Sequence, residues 1–255
     1  MSPRISFLVG GVQKGGTTAL AAVIVKHPDV ALPGAKEAHV FDAPDVDAHC
    51  SVHELDRRFS EHFSAEVWAD TTQHLGDATP ITMFHPALVE RVARYNPAMR
   101  WIVLLREPVS RAISQWHMER ARGTESWPMW AAFLLENFRT RSSRDDFSDG
   151  SPLRHHSYLA RGRYREQCAV LFRWFPREQV LFLRTEDLAE RPASVLRSVW
   201  AHVGVDAPAA PVELIRTFEG GYPAVSRWHP ARWIARAALR ADDPWGLIEE
   251  ECPRG

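Results

Sequence analysis

The run Ile5-Ser6-Phe7-Leu8-Val9 leads within a few residues into Gln13-Lys14-Gly15-Gly16-Thr17-Thr18, and a helix-like segment, Ala19 to Lys26, follows at once. A buried strand, a glycine turn and a helix opening, in that order, predict one architecture above others: a parallel sheet covered by helices. The first amides of a helix have no intrahelical acceptor, and its dipole makes that end electropositive. With Lys14 beside them and two threonine hydroxyls following, they predict a cradle for an anion of phosphate shape.

The rest of the chain continues the alternation. Strand-like runs are Ile5–Val9, Glu66–Asp70, Arg100–Leu105 and Gln179–Leu183. Helical patterns lie between them. Leu20, Val23 and Ile24 form one face, and Phe84, Leu88 and Val92 recur at four-residue spacing within Pro80–Tyr95. Pro108 suits a first helical position and opens a helix through Met118. Trp130–Phe138, Tyr158–Phe175 and Ala193–Val205 also read as helices. The expectation is an α/β fold, a P-loop-like parallel sheet with helices on both faces and right-handed crossovers. Residues 1–255 read as a single domain. Arg139 to Pro152 is a polar exposed loop, Asp206 to Pro211 a short Ala/Pro turn, and the chain from about Gly220 irregular.

Apolar residues make up 45% of the chain and charged residues 25%, which is enough to bury a real core. The net charge of −1 supplies no global field for nucleic acid or an anionic membrane, so neither is expected as a partner. Cys50, Cys168 and Cys252 are far apart and give no C-x-x-C, disulfide framework or zinc spacing. No metal site is expected. The first residues read as a core strand rather than a signal peptide, and no run reaches the ~18 apolar residues of a bilayer span. These features predict a cytoplasmic protein in a reducing compartment.

Two further stretches carry chemistry. The first is Leu105-Arg106-Glu107-Pro108-Val109-Ser110-Arg111-Ala112-Ile113-Ser114. Arg106 ends a buried strand, where ligands of open α/β sheets bind, and a guanidinium there can fork onto a phosphate. Ser114 on the following helix can add a hydroxyl. Arg111 reads as a surface or helix-pairing charge. The second stretch is Lys36-Glu37-Ala38-His39-Val40-Phe41-Asp42.

Together these motifs resemble those of sulfotransferases that use 3′-phosphoadenosine 5′-phosphosulfate (PAPS), in the heparan sulfate sulfotransferase branch and of bacterial type. A kinase-type P-loop reads G-x-x-x-x-G-K-[ST], with the lysine after the last glycine. Here Lys14 precedes Gly15 and Gly16, as in the 5′-phosphosulfate loop of that family. R-x-P-x-x-R-x-x-S is similar to its 3′-phosphate motif, and Glu37 to Asp42 is similar to its E-x-H-x-F-D segment. The later segments Trp174–Leu181 and Thr185–Leu188 also match, so the likeness spans roughly Phe7 to Val205.

The resemblance implies that Gln13, Lys14, Gly15, Gly16, Thr17 and Thr18 hold the 5′ end of the nucleotide, and that Arg106 and Ser114 hold the 3′-phosphate. It implies Glu37 as the base on an acceptor hydroxyl or amine, with His39 orienting it or binding acceptor. Lys14 steadies the leaving 5′-phosphate, the product is 3′,5′-diphosphoadenosine, and no metal takes part. Two departures stand out. In the heparan branch a lysine usually follows the second strand. Here Asp70 falls near that position, and His74 becomes an alternative base. The lysine- and glycine-containing loop near the C-terminus is replaced by Ser226-Arg227-Trp228-His229-Pro230, where Arg227 is the candidate phosphate contact. The acceptor is expected to be a small molecule or a sugar, in keeping with secondary metabolism. One of Trp116, Trp127 and Trp130 is expected to wall an acceptor or adenine pocket. Two other readings stay open: an ATP-dependent small-molecule kinase, and a non-catalytic nucleotide-binding protein of the same fold.

Overall fold

The computed structural model describes residues 4–47, 49–208, 222 and 224–240. In chain order these form β1 (Ile5–Gly11), α1 (Thr17–Ile24), β2 (Val30–Ala31), α2 (Val52–Ser60), α3 (Ala65–Ala69), β3 (His74–Asp77), α4 (Pro86–Tyr95) and β4 (Arg100–Leu105). Then come α5 (Pro108–Ala121), α6 (Met129–Leu134), α7 (Glu136–Thr140), α8 (Pro152–His156), α9 (Tyr164–Trp174), β5 (Val180–Arg184), α10 (Thr185–Glu190), α11 (Pro192–Val203) and α12 (Pro230–Ala238). The chain divides into two compact units, one of residues 1–105 and 169–218, the other of residues 106–168 and 219–255.

The first unit holds a five-stranded sheet of order β2-β3-β1-β4-β5. Every pairing is parallel, with Leu8 opposite both Asp77 and Trp101, and Leu105 opposite Arg184. Strands covered on both faces read as continuous apolar runs. Accordingly β1 is buried except at Ser6, and β4 except at Arg100. Val9, Leu20, Ile24, Leu104, Val199 and Trp200 share one core with the helices. Trp101 fills another part of the interior, its ring edge-on to Phe175 at 5.5 Å. A fully buried leucine or valine stabilises such a core by about 1.5–3 kcal/mol.

The second unit is helical. Glu107 caps α5, accepting from the N–H groups of Val109 (3.0 Å) and Ser110 (2.7 Å), and Pro108 takes the first helical position. Val109, Ile113, Met129, Phe133, Tyr158, Ala231 and Ala235 form its core. Charged groups inside it are hydrogen-bonded, although the Nε atoms of Arg111 and Arg161 are buried without a hydrogen-bond acceptor. Arg111 is fully buried rather than at the surface; it donates to Gln115 Oε1 (2.8 Å) on its own helix and to the Tyr158 carbonyl between helices. Glu125 accepts from Arg139 and from the Tyr158 hydroxyl, each at 2.7 Å.

Several expected elements differ. Glu66–Asp70 is not a strand; Ala65–Ala69 is a helical turn started by Ser64, whose side chain accepts the Val67 N–H at 3.3 Å. The strand lies later, at His74–Asp77, and two-residue β2 pairs with it. The segment after the second long strand therefore opens with Ala78, not Asp70, and carries no lysine. Trp130–Phe138 is two short helices with a break at Leu135. The helix expected from Pro80 begins at Pro86, where His85 caps Ala87 N–H. Within the region read as irregular, Pro230–Ala238 is helical, with His229 as its cap. Residues 209–211 of the Ala/Pro turn and Cys252 lie outside the described residues.

Candidate functional site

The loop after β1 is shaped by backbone geometry. Gly16 caps α1 at φ 94°, ψ 12°, a left-handed conformation that costs a side chain about 1–2 kcal/mol. A Cβ on Gly15 would stand 2.7 Å from the Leu104 carbonyl oxygen and 2.8 Å from that of Val12, so that position admits no side chain. Lys14 sits between strand and helix at φ 67°. Left-handed backbone at a lysine is uncommon and concentrates at functional sites. No side chain caps the start of α1, which leaves its first amides directed outward. Gln13 and Lys14 are half-buried, Thr17 buried and Thr18 exposed.

Two hydrogen bonds anchor this loop to the sheet. Val12 N–H donates to Leu104 O at 2.9 Å. The Thr185 hydroxyl stands 2.6 Å from Gly15 O and 3.0 Å from Leu105 O, so one proton serves two carbonyls. The loop is thereby fixed beside the carboxyl end of β4.

At the same edge of the sheet, Asp77 ends β3 and accepts the Ala38 N–H at 3.0 Å. That bond holds an acidic turn. Lys36 Nζ donates to Glu37 Oε1, His39 Nε2 lies 3.4 Å from Glu37 Oε2, and His39 Nδ1 lies 2.9 Å from Asp42 Oδ2. Lys36 (φ 70°) and His39 (φ 53°) both have left-handed backbone, which turns their side chains onto Glu37. The His39 ring lies between two carboxylates, with Asp42 fully buried. Hydrogen bonds to Asp42 and then Glu37 raise its pKa to about 10, against the opposing effect of burial. His39 is therefore a cation at neutral pH. Burial works to raise the Glu37 carboxyl, but the His39 hydrogen bond and Lys36 outweigh it and hold Glu37 below the usual carboxylate range. Asp77 goes the other way: complete burial raises it, and the Ala38 N–H only partly offsets that.

Lys14 and Glu37 therefore share the carboxyl edge of the sheet. His74 does not join them. It opens β3 opposite Val30, and its N–H donates to Asp29 O at 2.8 Å at the amino edge of the sheet. A strand placed several residues too early made it look close. In the helical unit, Arg106 directly follows β4 and its carbonyl accepts from the Tyr164 hydroxyl at 2.9 Å. Ser114 is half-buried on α5. Arg227 is exposed in the turn before α12, its guanidinium 4.9 Å from the Trp228 ring centre. Among the described residues no group of three His, Cys, Asp or Glu side chains could hold a metal ion.

Asp77 and Thr185 escaped the sequence reading as site residues. Nothing near Asp77 in sequence marks it, because its importance comes from the Ala38 amide, 39 residues away. Thr185 stood in a segment noted only for its likeness, and its partner Gly15 is 170 residues distant.

A family model described as "Sulfotransferase domain" matches residues 4–217. Mouse heparan sulfate glucosamine 3-O-sulfotransferase 3B1 is 30% identical over 198 residues, 78% of this chain and 45% of that protein. The chain spans about half the length of the curated relatives it matches. A sulfotransferase from Alicyclobacillus acidocaldarius superposes with a TM-score of 0.71 at 23% identity, covering 99% of this chain and 97% of that one. Mouse sulfotransferase SULT7A1, solved in complex with PAP, gives 0.52 at 16% identity, covering 98% and 88%. At those identities the structural likeness concerns the fold; the sequence match carries the family. The chain belongs to the sulfotransferase domain family.

Proposed function

We propose that the chain transfers a sulfuryl group from PAPS to a hydroxyl or amine of a small-molecule or carbohydrate acceptor. The observation that carries this reading is the uncapped start of α1, with left-handed Gly16 and Lys14 beside it at the end of β1. Such a helix start fits the 5′ end of the nucleotide, whose amides and lysine would receive phosphate oxygens. Arg106 and Ser114 would take the 3′-phosphate, and Arg227 is available as a further contact. The donor supplies an activated S–O bond, and the product is 3′,5′-diphosphoadenosine.

The protein's own groups supply the rest. Glu37 receives the proton as the acceptor O–H or N–H bond breaks and the bond to sulfur forms. Its lowered pKa keeps it ionised across the neutral range but limits its driving force as a base, so positioning must contribute much of the acceleration. Cationic His39 holds Glu37 in place and cannot itself accept the proton near neutrality. Lys14 and the loop amides stabilise the charge that builds on the departing 5′-phosphate. Removing one donor of this kind typically costs about 3–4 kcal/mol of barrier.

Calorimetry with 3′,5′-diphosphoadenosine and with ATP, each with and without magnesium, tests the reading. The expected result is binding of the 3′-phosphorylated nucleotide regardless of magnesium, and a weaker response to ATP. Preference for magnesium-ATP would instead support the kinase alternative. Tight nucleotide binding without any transfer across an acceptor screen would support the non-catalytic one. Cys50 and Cys168 form no disulfide among the described residues. No described helix is long and apolar enough to cross a membrane.

A further inference from the structure

Arg106 opens the helical unit, just after the end of β4 and just before Glu107, the cap of α5. The amides that follow it are committed elsewhere. The Glu107 carboxylate takes the Val109 and Ser110 N–H groups, and the Glu107 carbonyl takes that of Arg111. The Arg106 carbonyl is reached instead by the Tyr164 hydroxyl, which donates to it at 2.9 Å from 58 residues further along the chain. Tyr164 is fully buried. A phenylalanine would fill the same space with no polar group to desolvate. A buried hydroxyl is costly unless it is paired, and the Arg106 carbonyl pairs this one. Burial also raises the Tyr164 phenol far above its ordinary range, so the hydroxyl keeps its proton and stays a donor.

The stretch that delivers Tyr164 is itself fixed within the helical unit. Buried Arg111 donates to the Tyr158 carbonyl. Buried Glu136 accepts the Leu159 and Ala160 N–H groups at 2.5 and 2.8 Å. Gly162 donates to Leu159 O at 2.8 Å and lies so near the start of α5 that an added Cβ would stand 3.4 Å from Pro108 Cβ. Residues 158–164 therefore form a brace along α5, and its last side chain reaches back to the residue before the helix cap. A peptide group is planar. Holding the Arg106 carbonyl thus fixes the plane that joins Arg106 to Glu107, and with it the backbone from which the guanidinium extends.

We propose that Tyr164 is a positioning residue for Arg106, and that through it the protein selects a 3′-phosphorylated nucleotide over one with a free 3′-hydroxyl. The proposal rests on the reading above in which Arg106 receives the 3′-phosphate. A charge-assisted fork onto phosphate depends on distance and angle. With its carbonyl released, Arg106 keeps its charge but samples more directions, and the cost of ordering it falls on binding. Groups that receive the 5′ end of the nucleotide are untouched by that release.

Calorimetry of the full chain with 3′,5′-diphosphoadenosine and with 5′-AMP, which lacks only the 3′-phosphate, gives the ratio of the two affinities. Tyr164→Phe should weaken 3′,5′-diphosphoadenosine about tenfold and leave 5′-AMP unchanged, the size expected when orientation is lost and charge retained. Arg106→Gln should remove the selection, and Tyr164→Phe added to it should change neither affinity further. Loss of general stability would not produce that non-additivity. Tyr158→Phe is the control, because it deletes another buried tyrosine hydroxyl of the unit, one that donates to Glu125. It should lower the unfolding midpoint in denaturant and leave the ratio where it was. An unchanged ratio in Tyr164→Phe overturns the proposal, as does an equal fall in both affinities, a further fall in the double variant, or the same loss of ratio in Tyr158→Phe. If Arg106→Gln abolishes selection and Tyr164→Phe does not lower it, only the positioning role fails. If the wild type shows no selection, or Arg106→Gln keeps it, the functional reading fails first and the proposal with it.

Discussion

Glu37 keeps its charge through two neighbours whose backbones are turned left-handed to reach it, and that arrangement sets a pH profile. With Glu37 below the ordinary carboxylate range, kcat/KM should be flat through neutrality, with an acid limb below about 4.5. Removing His39 removes the largest influence that lowers Glu37 and leaves Lys36 alone to oppose burial. His39→Asn should therefore move the acid limb of kcat/KM to higher pH; an unmoved limb would detach His39 from the base. Stability follows the same linkage. The His39 pKa lies above its unfolded value of 6.5, at about 10. Its contribution is thus complete below about pH 6.5 and is lost as pH rises through about 10. The melting-temperature gap between wild type and His39→Asn should be widest near pH 6 and close above pH 10. Glu37→Gln should retain nucleotide affinity and abolish transfer, and full activity in that variant would remove Glu37 as the base. Lys14→Ala should lower turnover by roughly 10²–10³. Lys14 and Glu37 were legible in the sequence because each sits in a contiguous motif. Asp77 was not, because a buried aspartate on a distant amide leaves no local pattern.

The loop between β1 and α1 is held in place by a residue from the far side of the chain. Thr185→Val keeps the shape of the side chain and deletes the shared proton, leaving Gly15 O and Leu105 O without it. The expected loss is about 1–3 kcal/mol of stability by denaturant titration, with weaker binding of 3′,5′-diphosphoadenosine by calorimetry. Unchanged nucleotide affinity would show that the loop does not need this clamp. At this scale, legibility followed the length of the apolar signal. Strands β1 and β4 are long and buried on both faces, and both were evident. Strand β3 contains a single apolar side chain, Leu75, and β2 is two residues long, so neighbours define them rather than their own pattern. The error at Glu66–Asp70 has a local cause. Val67 and Trp68 favour strands, but Ser64 caps the turn and Glu66 suits its electropositive start, while none of the five helical residues is buried. That single misplacement also moved His74 to the wrong edge of the sheet.

Across the molecule the two units carry separate cores, one around the sheet and one around Phe133 and Tyr158. Phe133→Ala should destabilise the helical unit by about 3–5 kcal/mol in denaturant titration monitored within that unit. The second unit was hidden in the sequence because its polar interior, with Arg111, Glu125 and Glu136 buried, reads as surface. The net charge of −1 bears on the acceptor. With fields screened over about 8 Å at physiological salt, the protein should pass through a heparin column at that ionic strength. Retention to high salt would restore a polyanionic acceptor. The Thr185 clamp, finally, has a consequence for biosynthesis. Of the five strands β1 leaves the ribosome before the others, yet it occupies the middle of the sheet between partners made later. The hydroxyl that sets its phosphate turn is translated 170 residues after Gly15. A nascent chain stalled short of that threonine would display the Lys14 loop and the Arg106 motif and still lack a formed receptacle, so competence to bind should arise late during synthesis.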